Sequence, residues 1–167
     1  MQQKGELISF RPDIKVVDCT IRDGGLVNNF YFDDEFVKDL YKTNAAAGVD
    51  YMEFGYKASK DLFDVNEFGK WKFCDEQDIR DIVGDNDTDM KISVMADVGR
   101  TDYKKDIIPK KDSVIDMIRI ATYVNTIPAA IRTGMKRIES TIGRYFFILP
   151  AIAPAKYSTM HNAMHTA

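Results

Sequence analysis

The chain has 167 residues, 45% of them apolar and 29% charged, with a formal net charge of −3. That length holds one domain with a real hydrophobic core and falls short of two ordinary ones, and the balance excludes a disordered chain. The small negative charge gives no electrostatic reason to expect nucleic acid or an anionic membrane as partner.

The N-terminal stretch MQQKGELISFRPDIK has no apolar core long enough for a signal peptide, and no later segment approaches membrane-spanning length. A cytoplasmic location is the expectation. Cys19 and Cys74 belong to no CxxC pair, so reduced thiols behaving as small hydrophobes are expected, in a reducing compartment.

Residues 15–21, KVVDCTI, are rich in β-branched side chains and predict a first strand. A helix follows in FDDEFVKDLYKTNAAAGVD. Asp33 or Asp34 caps it, Phe36, Val37, Leu40 and Tyr41 form its apolar stripe, and Gly48 ends it. YMEFGY at 51–56 reads as a second strand, and CDEQDIRDIVG at 74–84 as an acidic-started helix closed by Gly84. A third strand is expected in 90–99, with Asp97 at its C-terminal end, and a fourth within 113–124. NTIPAAI then opens another helix, with Asn125 as cap and Pro128 in its first turn.

Strands thus alternate with helices four times, and the strands are short and strongly apolar, as strands covered on both faces should be. The fold class is α/β with a parallel sheet. Of the two parallel architectures, the open doubly wound sheet advertises a G-x-G-x-x-G or Walker loop, and neither is present. A barrel gathers polar residues at the C-terminal ends of successive strands. Here Arg22 and Asp23, Glu53, Asp97 and Arg100, and Arg119 follow that pattern. The expected architecture is a (β/α) barrel of the TIM type. A complete one takes about 250 residues, so the chain has room for roughly the first four βα units.

The composition shifts near residue 131. Residues 1–131 carry a net charge of −7 and residues 132–167 a net charge of +4, with both histidines in the later part. YFFILPAIA is either a fifth strand before a basic tail or part of an ending that departs from the βα pattern. The second division is preferred, with domains at 1–131 and 132–167.

The run DCTIRDGG admits two readings. Gly-Gly after a strand supplies the positive φ of a tight turn, and Asp-Gly is a common turn pair; alternatively, Arg22 and Asp23 stand at the mouth of a site. Taken alone, the residues favour the turn. DCTIRDGG, with AAAGVDYMEFGY and MIRIATYV, resembles the metal-dependent aldolase and lyase superfamily of TIM barrels. That superfamily includes 4-hydroxy-2-oxovalerate aldolase, 3-hydroxy-3-methylglutaryl-CoA lyase, and the isopropylmalate and homocitrate synthases. The likeness covers about residues 14–131.

The resemblance implies carbon–carbon bond cleavage or formation beside a 2-oxo group, through an enolate held by a divalent metal and a guanidinium. It makes Arg22 the enolate-stabilising residue and Asp23 a ligand for Mn²⁺ or Mg²⁺. Glu53 matches an acidic residue of the second strand that assists catalysis; as a barrel-interior carboxylate it is equally suited to pairing with an arginine. Arg119 matches a substrate-facing position, and a structural ion pair is its preferred role. Asp18 and Thr20 are read as supporting residues, with Asp97 a weaker candidate of the same kind. A small 2-oxo or 4-hydroxy-2-oxo acid is the implied substrate.

The family's His-x-His metal ligands are absent, as is its histidine base after RDG, where the chain reads GLVNNF. His161 and His165 are read as tail residues. The alternative is therefore a catalytically silent half-barrel that self-associates, as a homo-oligomer, or docks on another protein through its uncovered strand edges.

Overall fold

A computed structural model of the protein describes residues 13–129 and 148–151. Five strands lie in one all-parallel sheet in chain order: β1 (Val17–Asp18), β2 (Tyr51–Tyr56), β3 (Lys91–Asp97), β4 (Met117–Tyr123) and β5 (Ile148–Ala151). Helices α1 (Thr20–Asn28) and α2 (Asp34–Ala47) fall between β1 and β2, and α3 (Glu76–Val83) between β2 and β3. Short 3₁₀ turns occupy Lys70–Lys72, Lys110–Asp112 and Val124–Thr126. The α/β class and the parallel sheet follow the expectation from sequence. β5 pairs with β4 and falls within the 132–167 segment; His161 and His165 lie outside the described residues.

The first element differs from its reading. β1 is two residues long because the Asp18 carboxylate accepts hydrogen bonds from the Thr20 amide (3.2 Å) and hydroxyl (2.8 Å). This local capture turns the chain out of the sheet and into α1. Gly24 and Gly25 therefore sit inside a helix rather than a turn, and neither has positive φ. Each costs about 1 kcal/mol of helix propensity relative to alanine. At Gly25 the reason is space: a Cβ there would come within 2.1 Å of the Phe30 ring. Phe30 itself has φ 66 and is 2% exposed, a left-handed backbone that a bulky residue adopts only when its surroundings hold it.

α2 is capped at its start by Asp33, whose side chain accepts from the Glu35 amide, and at its end by Gly48 in the left-handed region. Val37 and Tyr41 are buried as expected, but Phe36 is half exposed and stacks on Phe32. Side chains alternate across the sheet. On the helix side, Met52 and Phe54 of β2, Ile92 and Val94 of β3, and Ile118 of β4 join Ile21, Val37 and Ile79 in the core. Trp71 is fully buried there, with its ring 5.4 Å from that of Phe54. The alternate positions Glu53, Ser93 and Arg119 share the opposite face, and that face carries the polar chemistry. Among the described residues, no helix is long and apolar enough to cross a membrane.

Candidate functional site

Glu53 is the centre of the polar face. It is fully buried, and its carboxylate is saturated from three elements. Arg22 of α1 donates through Nε to Oε1 at 2.8 Å, and Arg119 of β4 donates through Nε to Oε2 at 2.5 Å and through Nη2 to Oε1. Ser93, opposite Glu53 in the β2–β3 register, donates to Oε2 at 3.1 Å. A buried carboxylate is tolerable only when paired and hydrogen-bonded in this way. Cys19 lies against the group, with Sγ 3.8 Å from both Glu53 Oε1 and Arg119 Nη2. Burial, and then the Glu53 charge, push its thiol pKa up.

Arg22 links this buried cluster to the mouth of the sheet. Its Nη1 lies 2.5 Å from Asp23 Oδ1, and the Asp23 side chain is 59% exposed whereas that of Arg22 is 16% exposed. Burial, the largest single influence, opposes the Arg22 charge, but Glu53, Cys19 and Tyr56 together outweigh it and hold the guanidinium more firmly protonated than usual. Tyr56, at the end of β2, lies near Arg22; burial raises its phenol pKa, and Asp97 adds to the effect. Asp97, at the end of β3, is raised by burial, against the pull of Arg100, Lys72 and Arg22. Beside Asp97 opens a cavity of about 320 Å³, walled by Gly99, Thr101, Tyr103, Ile107 and Ile120. The Thr101 hydroxyl there is buried without a hydrogen-bond partner.

The structure thus brings Arg22, Glu53 and Arg119 into direct contact, with Asp23 at their outer edge. Asp18 and Thr20 bond one another at the start of α1 instead, and Thr20 is exposed. The strand alternation expected to turn both inward ends at Asp18, because Thr20 already belongs to the helix. Sequence reasoning missed Ser93, Tyr56 and Lys72. Ser93 was legible as the one small polar residue within the apolar run ISVMA, and Lys72 as a cation set between Trp71 and Phe73.

A divalent metal, which the resemblance implies, would find one exposed carboxylate in Asp23, and Arg22 already engages one of its oxygens. Glu53 is taken by two arginines and a serine. Among the described residues, no group of three His, Cys, Asp or Glu is placed to hold a metal ion. A hard divalent cation takes six or more oxygen ligands and is poorly served by one. The described residues therefore do not by themselves make up a metal site. Compared with protein-family models, curated proteins and solved structures, the chain gives no match.

Proposed function

We propose that this chain carries the enolate-stabilising corner of a carbon–carbon lyase of the aldolase class, built on the first βα units of a TIM-type barrel and acting on 4-hydroxy-2-oxo acids. One observation carries the reading. The Arg22 guanidinium is fixed by a fully buried carboxylate, yet its far side reaches the exposed mouth at the C-terminal end of the parallel strands. That end is where parallel α/β folds place ligands.

Cleavage breaks the bond between C3 and C4 of the substrate. Its electron pair moves into an enolate across C2 and C3, the C4 hydroxyl loses its proton, and an aldehyde departs. Protonation at C3 then gives the 2-oxo acid. Arg22, already held in place, supplies donors to the developing enolate oxygen without reorganising as the charge appears. Glu53 and Arg119 act through Arg22 by fixing its plane. Asp97, with its raised pKa and its place at the mouth of the cavity, suits transfer of the hydroxyl proton.

The test is release of the 2-oxo acid from a 4-hydroxy-2-oxo acid, followed with a coupled dehydrogenase. The unaltered chain releases pyruvate and Arg22→Met does not; equal rates in both, or none from either, would sink the reading.

A second reading is favoured by the sheet edge. β1 is the first strand of the sheet; its Val17 is 37% exposed, and Ile14 and Val16 just before it are 58% and 55% exposed. An apolar edge of this kind pairs with another chain, here a second copy in a self-associating half-barrel without activity. Sedimentation at several concentrations decides it: a monomer throughout argues against self-association.

A further inference from the structure

Lys72 is a buried cation with no anion of its own. It lies in the 3₁₀ turn after β2, is 8% exposed, and its Nζ is surrounded by four aromatic rings. The ring centroids stand 4.5 Å away for Phe63, 4.9 Å for Phe30, 5.0 Å for Tyr56 and 5.3 Å for Phe68. These rings come from three separate places: the bend after α1, the end of β2, and the loop that follows it. Among the described residues no carboxylate lies within salt-bridge distance of Nζ, and no side-chain or carbonyl oxygen accepts a hydrogen bond from it.

Ring faces attract a cation but do not neutralise it, and a buried charge without a counter-ion is costly. Other lysines of this chain are treated differently. Lys57, also buried, donates to the Cys74 carbonyl at 2.6 Å, and Lys60 pairs with Asp75 at 2.5 Å. Lys72 has ring faces in place of either kind of partner. Its ring neighbour Tyr56 lies close enough to Arg22 to feel its charge, and Asp97 and Arg100 are the charged groups near enough to act on Lys72. Counting Arg22, Arg119, Arg100 and Lys72 against Glu53, Asp97 and Asp23, the cations exceed the carboxylates by one.

We propose that Lys72 is the carboxylate-binding residue of the site, its ammonium held by the four rings to receive the acid end of a 2-oxo acid whose oxo group meets Arg22. The assignment rests on the proposed function and deepens it. A purely structural lysine would be expected to bond a carbonyl, as Lys57 does. A ligand-binding one is held rigidly by apolar walls with its donors left for the ligand, which limits the ordering cost on binding. Burial also lowers the Lys72 pKa, against the pull of Asp97 and with the push of Arg100. Anion binding should therefore weaken with rising pH before the ordinary lysine value of 10.5 is reached.

The experiment titrates the full chain with oxalate, a planar two-carbon dicarboxylate that mimics the enolate of a 2-oxo acid, by calorimetry. Lys72→Met, which keeps the length of the stem, should weaken oxalate about tenfold or more, the worth of one charge-assisted hydrogen bond. Its thermal midpoint should not fall, because an unpaired buried charge has been removed. Unaltered affinity in Lys72→Met overturns the proposal, as does a lack of oxalate binding by the unaltered chain at millimolar concentration.

A second measurement needs no variant. The unaltered chain is acetylated with and without oxalate, and the peptide carrying Lys72 is read by mass spectrometry. Labelling of Lys72 that oxalate suppresses supports the assignment, and measurable labelling that oxalate leaves unchanged overturns it. Pyruvate release with oxalate affinity independent of Lys72 removes the carboxylate role and leaves the proposed function standing. Oxalate bound through Lys72 without pyruvate release does the reverse.

Discussion

Replacing Glu53 by glutamine keeps the shape of the side chain and removes the charge that two guanidinium groups share. The carboxylate accepts hydrogen bonds from Arg22 Nε, from Arg119 Nε and Nη2, from Ser93 Oγ and, at 3.8 Å, from Cys19 Sγ. A carboxamide has one accepting oxygen and one donating nitrogen, so one of its ends must face a guanidinium donor against donor. Whichever way the amide turns, at least one charge-assisted bond is lost, and both arginines, 16% and 14% exposed, keep their charge without the shared partner. Breaking a buried ion pair from one side costs about 3–5 kcal/mol. Set against a total stability of about 5–15 kcal/mol for a domain, this leaves the protein close to unfolding. Urea denaturation followed by far-ultraviolet circular dichroism measures the loss. Adding Arg119→Met to Glu53→Gln should return part of it, since one stranded cation is then gone, giving a non-additive cycle. A loss under about 1 kcal/mol for Glu53→Gln, or strict additivity in the double variant, would refute the account of a saturated buried carboxylate.

Gly25→Ala should destabilise the protein by about 1–3 kcal/mol, as overpacking does, although alanine is the better helix former; a rise in the thermal midpoint would show that the Phe30 ring moves freely. Asp97→Asn should gain stability relative to the unaltered chain as pH rises. The folded pKa of Asp97 lies above the ordinary 3.8, so the folded state holds its proton more tightly and is disfavoured, relative to the unfolded state, as that proton is lost. The two chains should converge in acid, and a gain confined to low pH would contradict the sign.

Strands β2, β3 and β4 were legible because short apolar runs bounded by Gly, Asp and Asn punctuation leave few other ways to bury them. The same is true of α2, whose cap residues Asp33 and Gly48 bracket its apolar positions. The meeting of Glu53 with Arg119 was legible in part, since a carboxylate and a guanidinium at interior strand positions need each other. The Gly24–Gly25 pair was misread, because turn statistics are local. The helical state there depends on Phe30, whose ring occupies the space a side chain at Gly25 would need. The enclosure of Lys72 was not legible at all. Its four rings come from residues 30, 56, 63 and 68, and no spacing in the sequence announces that they converge on one ammonium.

The order of the strands also bears on how the chain assembles. Each strand lies beside the next one in sequence, so the sheet can grow from one side in the order of synthesis, without waiting for distant segments. Glu53 is the exception, because Arg119, one of its two guanidinium partners, arrives 66 residues later. Until β4 docks, the carboxylate on the growing sheet has one counter-charge and an open flank facing water. Closure by Arg119 then excludes that water and fixes the pitch between the second and fourth strands. Glu53 is in this sense a latch set early and fastened late, and shifting β4 along β3 by one residue would turn Arg119 to the opposite face and leave the latch unfastened.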